Sequence, residues 1–292
     1  MSFPATGFLK LLRPRQWTKN LVCLGGAFFS GQMLLPQVAG RACLAVAAFC
    51  AASSFVYILN DLLDREHDRN HPRKKLRPIA SGEVAVPQAV GLSAVVLCIA
   101  IALGACLGVK VLGLLCCYVV INIGYSLCLK NLSLVDATAV ASGFILRVYV
   151  GTVAVSVSPS AWLLLCTLFI SLFLAFAKRR AEINASTGQP TREVLHKYNV
   201  TMLDRFCNIC ATLTIATYAI FSVLGHPNRS LIITIPPVVM GIFRYLLLIE
   251  RCQEGEAPDV VLLKDWAIQL AILIWVALYA AVIYFGLRID VQ

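Results

Sequence analysis

Acidic and amide side chains in residues 57–82 follow a helical spacing. Asn60, Asp64 and Asp68 are each four positions apart, so a helix would stack their oxygen atoms along one face. Stacked oxygen donors repel each other unless a cation lies between them. A hard divalent ion such as Mg²⁺ prefers oxygen ligands and also contacts substrate phosphates. The spacing therefore predicts a Mg²⁺ site at these three residues, with Asp61 as a further candidate ligand.

The same stretch carries basic side chains among and after the acids, including Arg69, Lys75 and Arg77. Guanidinium and ammonium groups suit phosphate oxygens, so we interpret these three residues as candidate substrate contacts. An ordinary charged loop at a membrane surface is the alternative. The helical spacing of the acids, directly after an apolar run, favours a site that binds a metal and a diphosphate.

Long apolar runs must position these residues. Of the 292 residues, 59% are hydrophobic and 14% are charged, which is typical of membrane helices rather than of soluble domains. We therefore predict an all-α integral membrane protein with a single transmembrane domain over 1–292. Nine runs are long enough to be predicted spans, near 21–35, 42–62, 84–107, 110–128, 134–154, 160–177, 206–224, 230–249 and 266–286.

The distribution of Lys and Arg indicates the orientation. These residues concentrate in the N-terminal segment 1–20, a predicted interfacial helix interrupted by Pro14, and in the polar connections 65–83 and 178–205. By the positive-inside rule, all three segments lie in the cytoplasm, and the two connections are the predicted active-site loops. The net charge of +10 is then a topology signal, and we expect no nucleic-acid partner.

Three further candidates lie around the fourth and fifth runs. Tyr125 lies near the end of the fourth run, and Lys130 lies in the turn just after it. Lys130 either anchors the helix or contacts a phosphate. Arg147 lies inside the fifth run. A charge near mid-bilayer costs about 2.5–3.5 kcal/mol, so Arg147 should face the interior and meet an anionic partner. Asp136 is three helical turns, about 16 Å, away, which favours a ligand or another helix as that partner.

Three consecutive cations, Lys178, Arg179 and Arg180, end the sixth run, and Tyr198 lies in the connection that follows. The cations either anchor the end of the helix or form an anion-binding wall opposite the acidic stretch. We include all four residues among the candidate substrate contacts.

Other functional classes fit the sequence less well. The chain has no nucleophile elbow, Walker A or HExxH motif. A non-enzymatic transporter would carry charges through its spans on both sides of the midplane, whereas the charges here gather at one face. Nearly all of the 12 Cys residues lie inside apolar runs, where Cys behaves as a small hydrophobic residue. These features favour a membrane enzyme.

The pattern Asn60-Asp61-x-x-Asp64-x-x-x-Asp68 resembles the first aspartate-rich motif of the UbiA superfamily of intramembrane prenyltransferases. The resemblance implies nine transmembrane helices around a central cavity that opens to the cytoplasm and laterally to lipid. It also implies a membrane enzyme that uses Mg²⁺.

Several segments resemble one branch of that family, the decaprenyl-phosphate 5-phosphoribosyltransferases. They are RPRQWTKN (13–20), NDLLDREHDRNHPRKKLRPIASG (60–82), YSLCLKN (125–131), GFILRVYVG (143–151) and KRRAEI (178–183). This resemblance implies transfer of a phosphoribosyl group from PRPP to a polyprenyl phosphate at the cytoplasmic face of a bacterial cell membrane. Lys19, Lys130 and Arg147 are then candidates to hold the acceptor phosphate.

A prenyltransferase with a prenyl diphosphate donor and an aromatic acceptor is the alternative within the family. Such enzymes carry a second DxxxD-type motif after the sixth span, and residues 178–205 contain no such motif. The sequence leaves open whether the protein forms a homo-oligomer.

Overall fold

The computed structural model of the protein describes residues 5–70, 74–184, 193–251, 261 and 264–289. All regular secondary structure in these ranges is helical. The chain forms two compact units, which are Met1–Leu127 with Leu146–Pro159, and Cys128–Ile145 with Ser160–Gln292.

The first unit contains three long apolar helices together with several short helical segments. They are α1 (Ala5–Leu12), a 3₁₀ helix (Pro14–Leu24), α2 (Gly25–Phe29), α3 (Pro36–Leu63), α4 (Arg65–Arg69), a 3₁₀ turn (Lys74–Leu76), α5 (Val86–Leu107) and α6 (Val109–Leu127). The next helix, α7 (Val135–Ala154), begins in the second unit and ends in the first.

The second unit opens with a 3₁₀ turn (Leu129–Asn131) ahead of α7. After α7 it contains α8 (Ala161–Asn184), a 3₁₀ turn (Glu193–Lys197), α9 (Val200–Ile220), a π-helical turn (Phe221–Gly225), a 3₁₀ helix (Arg229–Thr234), α10 (Ile235–Arg251) and α11 (Trp266–Ile283).

Eight helical segments within the described ranges are long and apolar enough to cross a membrane. They are Pro36–Leu63, Val86–Leu107, Val109–Leu127, Val135–Ala154, Ala161–Asn184, Val200–Gly225, Arg229–Glu250 and Trp266–Ile283. These segments correspond to the predicted spans from 42–62 onward, with ends that differ by several residues. The predicted run 21–35 is not among them, so the expected count of nine is not reached in the described part of the chain.

The predicted first span takes a different form, and polar side chains next to it contact another helix. The helical segment begins earlier, at Pro14, and is 3₁₀ as far as Leu24. Asn20 in this segment is fully buried, and its Nδ2 donates to Ser53 Oγ of α3 at 3.2 Å. These polar contacts lie inside the protein, and a count of apolar residues does not reveal them.

The first unit packs around the small residues of α3. Ala45, Ala48 and Ala52 are buried beside Phe49, and small side chains allow helices in a membrane to approach closely. Gly108 alone joins α5 to α6, with a φ of 120° that is essentially restricted to glycine. The two helices are therefore antiparallel neighbours.

Arg41 ties together three helices at one end of the first unit. From the first turns of α3, its Nε donates to the Ala154 carbonyl at 2.6 Å and its Nη2 donates to the Leu107 carbonyl at 3.1 Å. These carbonyls end α7 and α5, where backbone oxygens have no partner within the helix and a cation is favoured.

The core of the second unit lies between α8 and α9. Phe173 and Leu203 are buried there together with Cys207. The ring of Tyr245, from α10, lies edge-on to Phe173 at 5.2 Å between centroids. Cys207 and Cys210 both belong to this core, which agrees with their interpretation as hydrophobic residues.

Candidate active site

The aspartate-rich stretch lies where α3 ends and α4 begins. Asp64 follows the last residue of α3 with a φ of −87° and a ψ of 6°, so the two helices are not continuous. The Asp64 N–H nevertheless donates to the Asn60 carbonyl at 2.9 Å, and the Asp68 N–H donates to the Asp64 carbonyl at 2.8 Å. Because this bonding pattern is α-helical, Asn60, Asp64 and Asp68 are one turn apart, as the spacing predicts.

Two guanidinium groups, of Arg13 and Arg77, neutralise Asp61 and Asp68, which form the acidic cluster of this stretch. Asp61 is 2% exposed, and its Oδ1 lies 2.7 Å from Arg13 Nη2 and 3.0 Å from Arg77 Nη1. The same Nη1 of Arg77 lies 2.6 Å from Oδ2 of Asp68, which is fully buried. A buried carboxylate without a counter-charge is strongly unfavourable, so the two arginines hold this acidic cluster together.

One oxygen of Asp68 has no hydrogen-bond partner among the residues that the structure describes. Its Oδ1 is buried and makes no hydrogen bond within the described residues. An unpaired buried oxygen is unfavourable, and a cation would satisfy it. The oxygen donors of Asn60, Asp64 and Asp68 fit a hard divalent ion.

The described ranges contain no group of three or more His, Cys, Asp and Glu side chains placed to hold a metal. Asp61 faces the guanidinium groups of Arg13 and Arg77. The assignment of Asn60, Asp61, Asp64 and Asp68 as ligands therefore stays a prediction.

Ser126, near the end of α6, contacts the side chain of Asn60. The Ser126 hydroxyl lies within hydrogen-bond distance of both Asn60 Oδ1 and the Asn122 carbonyl, the latter at 2.8 Å. A hydroxyl has one hydrogen, so it donates to one of the two at a time. Sequence reasoning missed Ser126 because a single serine in an apolar run carries no signal.

Arg13 is a second residue that the sequence analysis did not select. It follows α1 with a φ of 52°, in the left-handed region that few residues other than glycine adopt. Its guanidinium lies 4.9 Å above the Tyr57 ring while it pairs with Asp61. Its presence in the basic N-terminal segment was visible, but its partner, 48 positions away, was not.

The other candidate substrate contacts of the first unit differ in how exposed their side chains are. Arg69 is on the surface, where its Nη1 lies 3.3 Å from Glu66 and its Nε lies 3.4 Å from the Ala80 carbonyl. Lys75 is exposed, whereas Lys19 and Tyr125 are half-buried. Their roles as substrate contacts stay predictions.

Arg147 is buried inside the first unit, as expected for a charge within a span. Its Nε donates to Asn20 Oδ1 at 2.8 Å, and its Nη2 donates to Tyr118 OH at 3.1 Å. The guanidinium also lies 5.0 Å from the Tyr118 ring centre and 5.2 Å from that of Phe49, distances typical of cation–π contacts. Asn20 and Tyr118 are therefore the residues that orient Arg147.

The three consecutive cations at the end of α8 do not share one environment. Lys178 is exposed, whereas Arg179 and Arg180 are 3% and 8% exposed. Arg179 lies 2.6 Å from Asp136 Oδ2, and Arg180 pairs with Asp204. Two of the three cations, Arg179 and Arg180, are thus neutralised inside the second unit. Of the three residues of the predicted anion-binding wall, Lys178 alone is exposed.

Tyr198 fixes the turn that precedes α7. Its hydroxyl accepts from the Leu134 N–H at 2.6 Å and donates to Asp136 Oδ1 at 3.0 Å. Leu134 has a φ of 66°, which a residue with a side chain rarely adopts. The 3₁₀ turn that carries Lys130 contacts the turn before Tyr198. Burial raises the pKa of Tyr198 to about 12, so its hydroxyl keeps its proton at neutral pH.

Residues 20–264 place the chain in a known protein family. The profile of the UbiA prenyltransferase family matches residues 20–264, which is most of the chain. The chain belongs to the UbiA prenyltransferase family. With eight long apolar helices in its described ranges, this UbiA protein is an integral membrane protein.

This UbiA protein is similar to two bacterial proteins over nearly its whole length. It is 34% identical to the decaprenyl-phosphate phosphoribosyltransferase of Corynebacterium glutamicum, over 96% of this chain and 87% of that protein. It is 33% identical to the protein of the same name from Mycobacterium tuberculosis, over 96% of this chain and 95% of that protein.

Solved structures of the UbiA family have the same fold. A UbiA homologue from Archaeoglobus fulgidus bound to GPP and Mg²⁺ superposes with a TM-score of 0.73 at 19% identity, over 95% of this chain and 99% of that one. A digeranylgeranylglyceryl phosphate synthase superposes with a TM-score of 0.71 at 16% identity, over 97% of this chain and 99% of that one. The prediction of an all-α, UbiA-like membrane fold is confirmed.

Proposed function

We propose that this UbiA protein transfers a 5-phosphoribosyl group from PRPP to a polyprenyl phosphate at the cytoplasmic face of a bacterial cell membrane. The observation that carries the proposal is its similarity, over nearly its whole length, to two decaprenyl-phosphate phosphoribosyltransferases. The acidic cluster at Asp61 and Asp68, set among arginines, supports it because carboxylate oxygens can hold Mg²⁺ and guanidinium groups can bind the oxygens of a diphosphate. The concentration of Lys and Arg in 65–83 and 178–205 supports the orientation.

The proposed reaction exchanges one C–O bond for another. The bond between C1 of the ribose and the diphosphate breaks, and the diphosphate leaves with the electron pair. A phosphate oxygen of the polyprenyl phosphate forms the new bond to C1. That oxygen is already anionic, so the reaction needs no strong general base and no redox partner. Orientation of the two substrates and stabilisation of charge should therefore supply most of the rate.

We assign Asn60, Asp64 and Asp68 as the residues that would hold Mg²⁺. The unpaired Oδ1 of Asp68 supports this assignment, and Mg²⁺ accompanies a diphosphate in the related A. fulgidus structure. When bound, the ion would act as a Lewis acid on the leaving diphosphate. The guanidinium of Arg77 lies beside these acids and is partly exposed, so we propose that it also contacts the diphosphate.

The acceptor phosphate is assigned to a second set of cations. Lys19, Lys130 and Arg147 are the proposed contacts, and the hydrogen bonds that Arg147 donates to Asn20 and Tyr118 would keep its guanidinium in one orientation. Of the cations at the end of α8, Lys178 is the proposed substrate contact because it is the exposed one.

The test is transfer of label in membranes that contain the overexpressed protein. We expect radiolabel from ribose-labelled PRPP to enter the lipid extract when polyprenyl phosphate and Mg²⁺ are present. Asp68→Asn should abolish the transfer. Glu66→Gln is the matched control, since it removes a carboxylate two positions away that is 76% exposed. Transfer from a prenyl diphosphate to an aromatic acid, with none from PRPP, would overturn the proposal in favour of the other UbiA activity.

A further inference from the structure

A cavity of about 700 Å³ lies in the first unit, between the start of α6 and the end of α7. Lys110 and Leu114 line it from α6, and Tyr149 and Val153 line it from α7. The residues after α7, including Ser156 and Ser158, complete the lining.

The cavity is at the opposite end of α6 from the acidic cluster. Lys110 and Ser126 belong to the same helix and are 16 positions apart, which corresponds to about 24 Å along the axis. Ser126 contacts Asn60, whereas Lys110 lines the cavity. Because α6 is long enough to cross a membrane, an occupant of the cavity would belong to the other leaflet from the proposed substrates.

The polar lining of the cavity suits an anion. Lys110, Tyr149, Ser156 and Ser158 are all hydrogen-bond donors, and the lining includes no acidic side chain. Lys110 has no hydrogen-bond or ion-pair partner in the described ranges. Arg41 at the same end of the unit is different, because its guanidinium already donates to two helix-terminal carbonyls. Lys110 is therefore available to pair with a phosphate.

Ser156 keeps a hydroxyl at a position where glycine would be easier to accommodate. The Val157 N–H donates to the Thr152 carbonyl at 3.0 Å, and the Ser156 N–H donates to the Val153 carbonyl at 3.1 Å. This is the bonding of a Schellman motif, in which the left-handed residue is usually glycine. Ser156 adopts that conformation with a φ of 60°, and it is one of the residues that line the cavity.

The remaining lining is apolar. Leu114 and Val153 form a hydrophobic wall beside the donors, on helices that cross the membrane. A free phosphate ion would gain nothing from this wall, whereas a lipid would place its acyl chain along it. We propose that the cavity binds the phosphate-bearing head group of an anionic phospholipid, with the phosphate against Lys110 and the hydroxyls of Ser156 and Ser158.

The experiment measures lipid retained by the full-length protein. The purified protein is exchanged into nanodiscs of equal parts phosphatidylglycerol and phosphatidylcholine, extracted in mild detergent, and analysed for bound lipid by native mass spectrometry. We expect the wild type to retain phosphatidylglycerol preferentially. Lys110→Gln should lower that preference about tenfold, since it removes a charge-assisted hydrogen bond. Arg229→Gln, which removes a cation that does not line the cavity, should leave the preference unchanged.

Ser156→Gly separates lipid binding from folding. It should raise the unfolding temperature by relieving the left-handed conformation, and it should lower phosphatidylglycerol retention by removing a donor. Equal retention of the two lipids by the wild type, or equal losses in Lys110→Gln and Arg229→Gln, would overturn the proposal. Displacement of the bound lipid by inorganic phosphate at similar affinity would show that the site binds a free anion, and would overturn it as well.

Discussion

Arg77 Nη1 lies 2.6 Å from Asp68 Oδ2 and 3.0 Å from Asp61 Oδ1, so one guanidinium joins the last turn of α3 to α4. The cation that neutralises Oδ2 of Asp68 is thus supplied by the protein itself. A metal ion that binds Oδ1 of Asp68 alone leaves this pair intact. An ion that binds both oxygens has to displace Arg77. The ion pair between Arg77 and Asp68 therefore links the stability of the acidic cluster to whether a metal binds one or both oxygens of Asp68.

Removing Arg77 should destabilise the fold. Arg77→Ala leaves buried Asp68 without its counter-charge, while Asp61 keeps Arg13. Loss of one partner of a fully buried ion pair costs about 3–5 kcal/mol, and we expect about 2 kcal/mol here because the Arg77 side chain is 28% exposed. Unfolding of the purified protein in detergent measures the change.

Two variants control for the loss of Arg77. Lys75→Ala removes an exposed cation two positions away and should leave the free energy of unfolding nearly unchanged. In the double variant Arg77→Ala with Asp68→Asn, the second change should cost less than it does alone, since the two groups interact directly. Additive effects of the two changes would show that the pair contributes nothing to stability.

The acidic cluster should bind a divalent ion in the absence of substrates. Mn²⁺ replaces Mg²⁺ at oxygen sites and is detected by electron paramagnetic resonance. We expect Asp68→Asn to weaken Mn²⁺ binding by at least about tenfold, because it neutralises a ligand, and Glu66→Gln to leave it unchanged. Identical Mn²⁺ affinities for both variants would remove Asp68 from the ligand set.

The extent of the fold could be read from the sequence because each span is a run of apolar residues long enough to cross the bilayer. Eight of the nine predicted runs became such helices. The run 21–35 did not, since it is 3₁₀-helical as far as Leu24 and α-helical only over Gly25–Phe29. The buried amide of Asn20 bonds to Ser53, and a 3₁₀ helix from Pro14 to Leu24 brings it there. Apolar run length carries no information about a partner 33 positions away.

The helical spacing of the acids could be predicted from the sequence, whereas their ion-pair partners could not. The four-residue spacing of Asn60, Asp64 and Asp68 is local, and the backbone bonds across Asp64 preserve it. The pairing of Arg13 with Asp61 joins positions 48 apart, so no local pattern encodes it. The sequence predicts Arg179 as one of a row of cations at a helix end, yet Asp136, 43 positions earlier, binds it inside the second unit.

Tyr198→Phe should loosen the turn that carries Lys130. It removes the acceptor of the Leu134 N–H and one donor to Asp136, and an unmade buried hydrogen bond costs about 1–3 kcal/mol. We expect KM for the polyprenyl phosphate to rise more than kcat falls. Leu134→Gly should partly rescue the variant, because glycine adopts the positive φ without strain. A uniform loss of folded protein, with unchanged KM, would contradict this role.

The stability of the protein should fall at high pH partly through Tyr198. Burial, with a smaller contribution from Asp136, raises its pKa from 10.0 to about 12. The folded state therefore holds the proton more tightly than the unfolded state. The resulting stability is complete below pH 10 and is lost as pH rises towards 12. Unfolding measured across this range should show a smaller decline for Tyr198→Phe than for the wild type, and parallel curves would contradict the assignment.

A methyl group at Gly151 should disrupt the first unit. A Cβ there would overlap the backbone carbonyl of Cys23, which has no side-chain freedom with which to move aside. Gly151→Ala should therefore separate α7 from the 3₁₀ helix and destabilise the protein by about 3 kcal/mol or more. Gly91→Ala is the matched control. It lies within α5 with open space around the added methyl group, so it should stabilise the helix by about 0.5–1 kcal/mol. Equal yields and unfolding temperatures for the two variants would show that the close approach of Cys23 to α7 is not required.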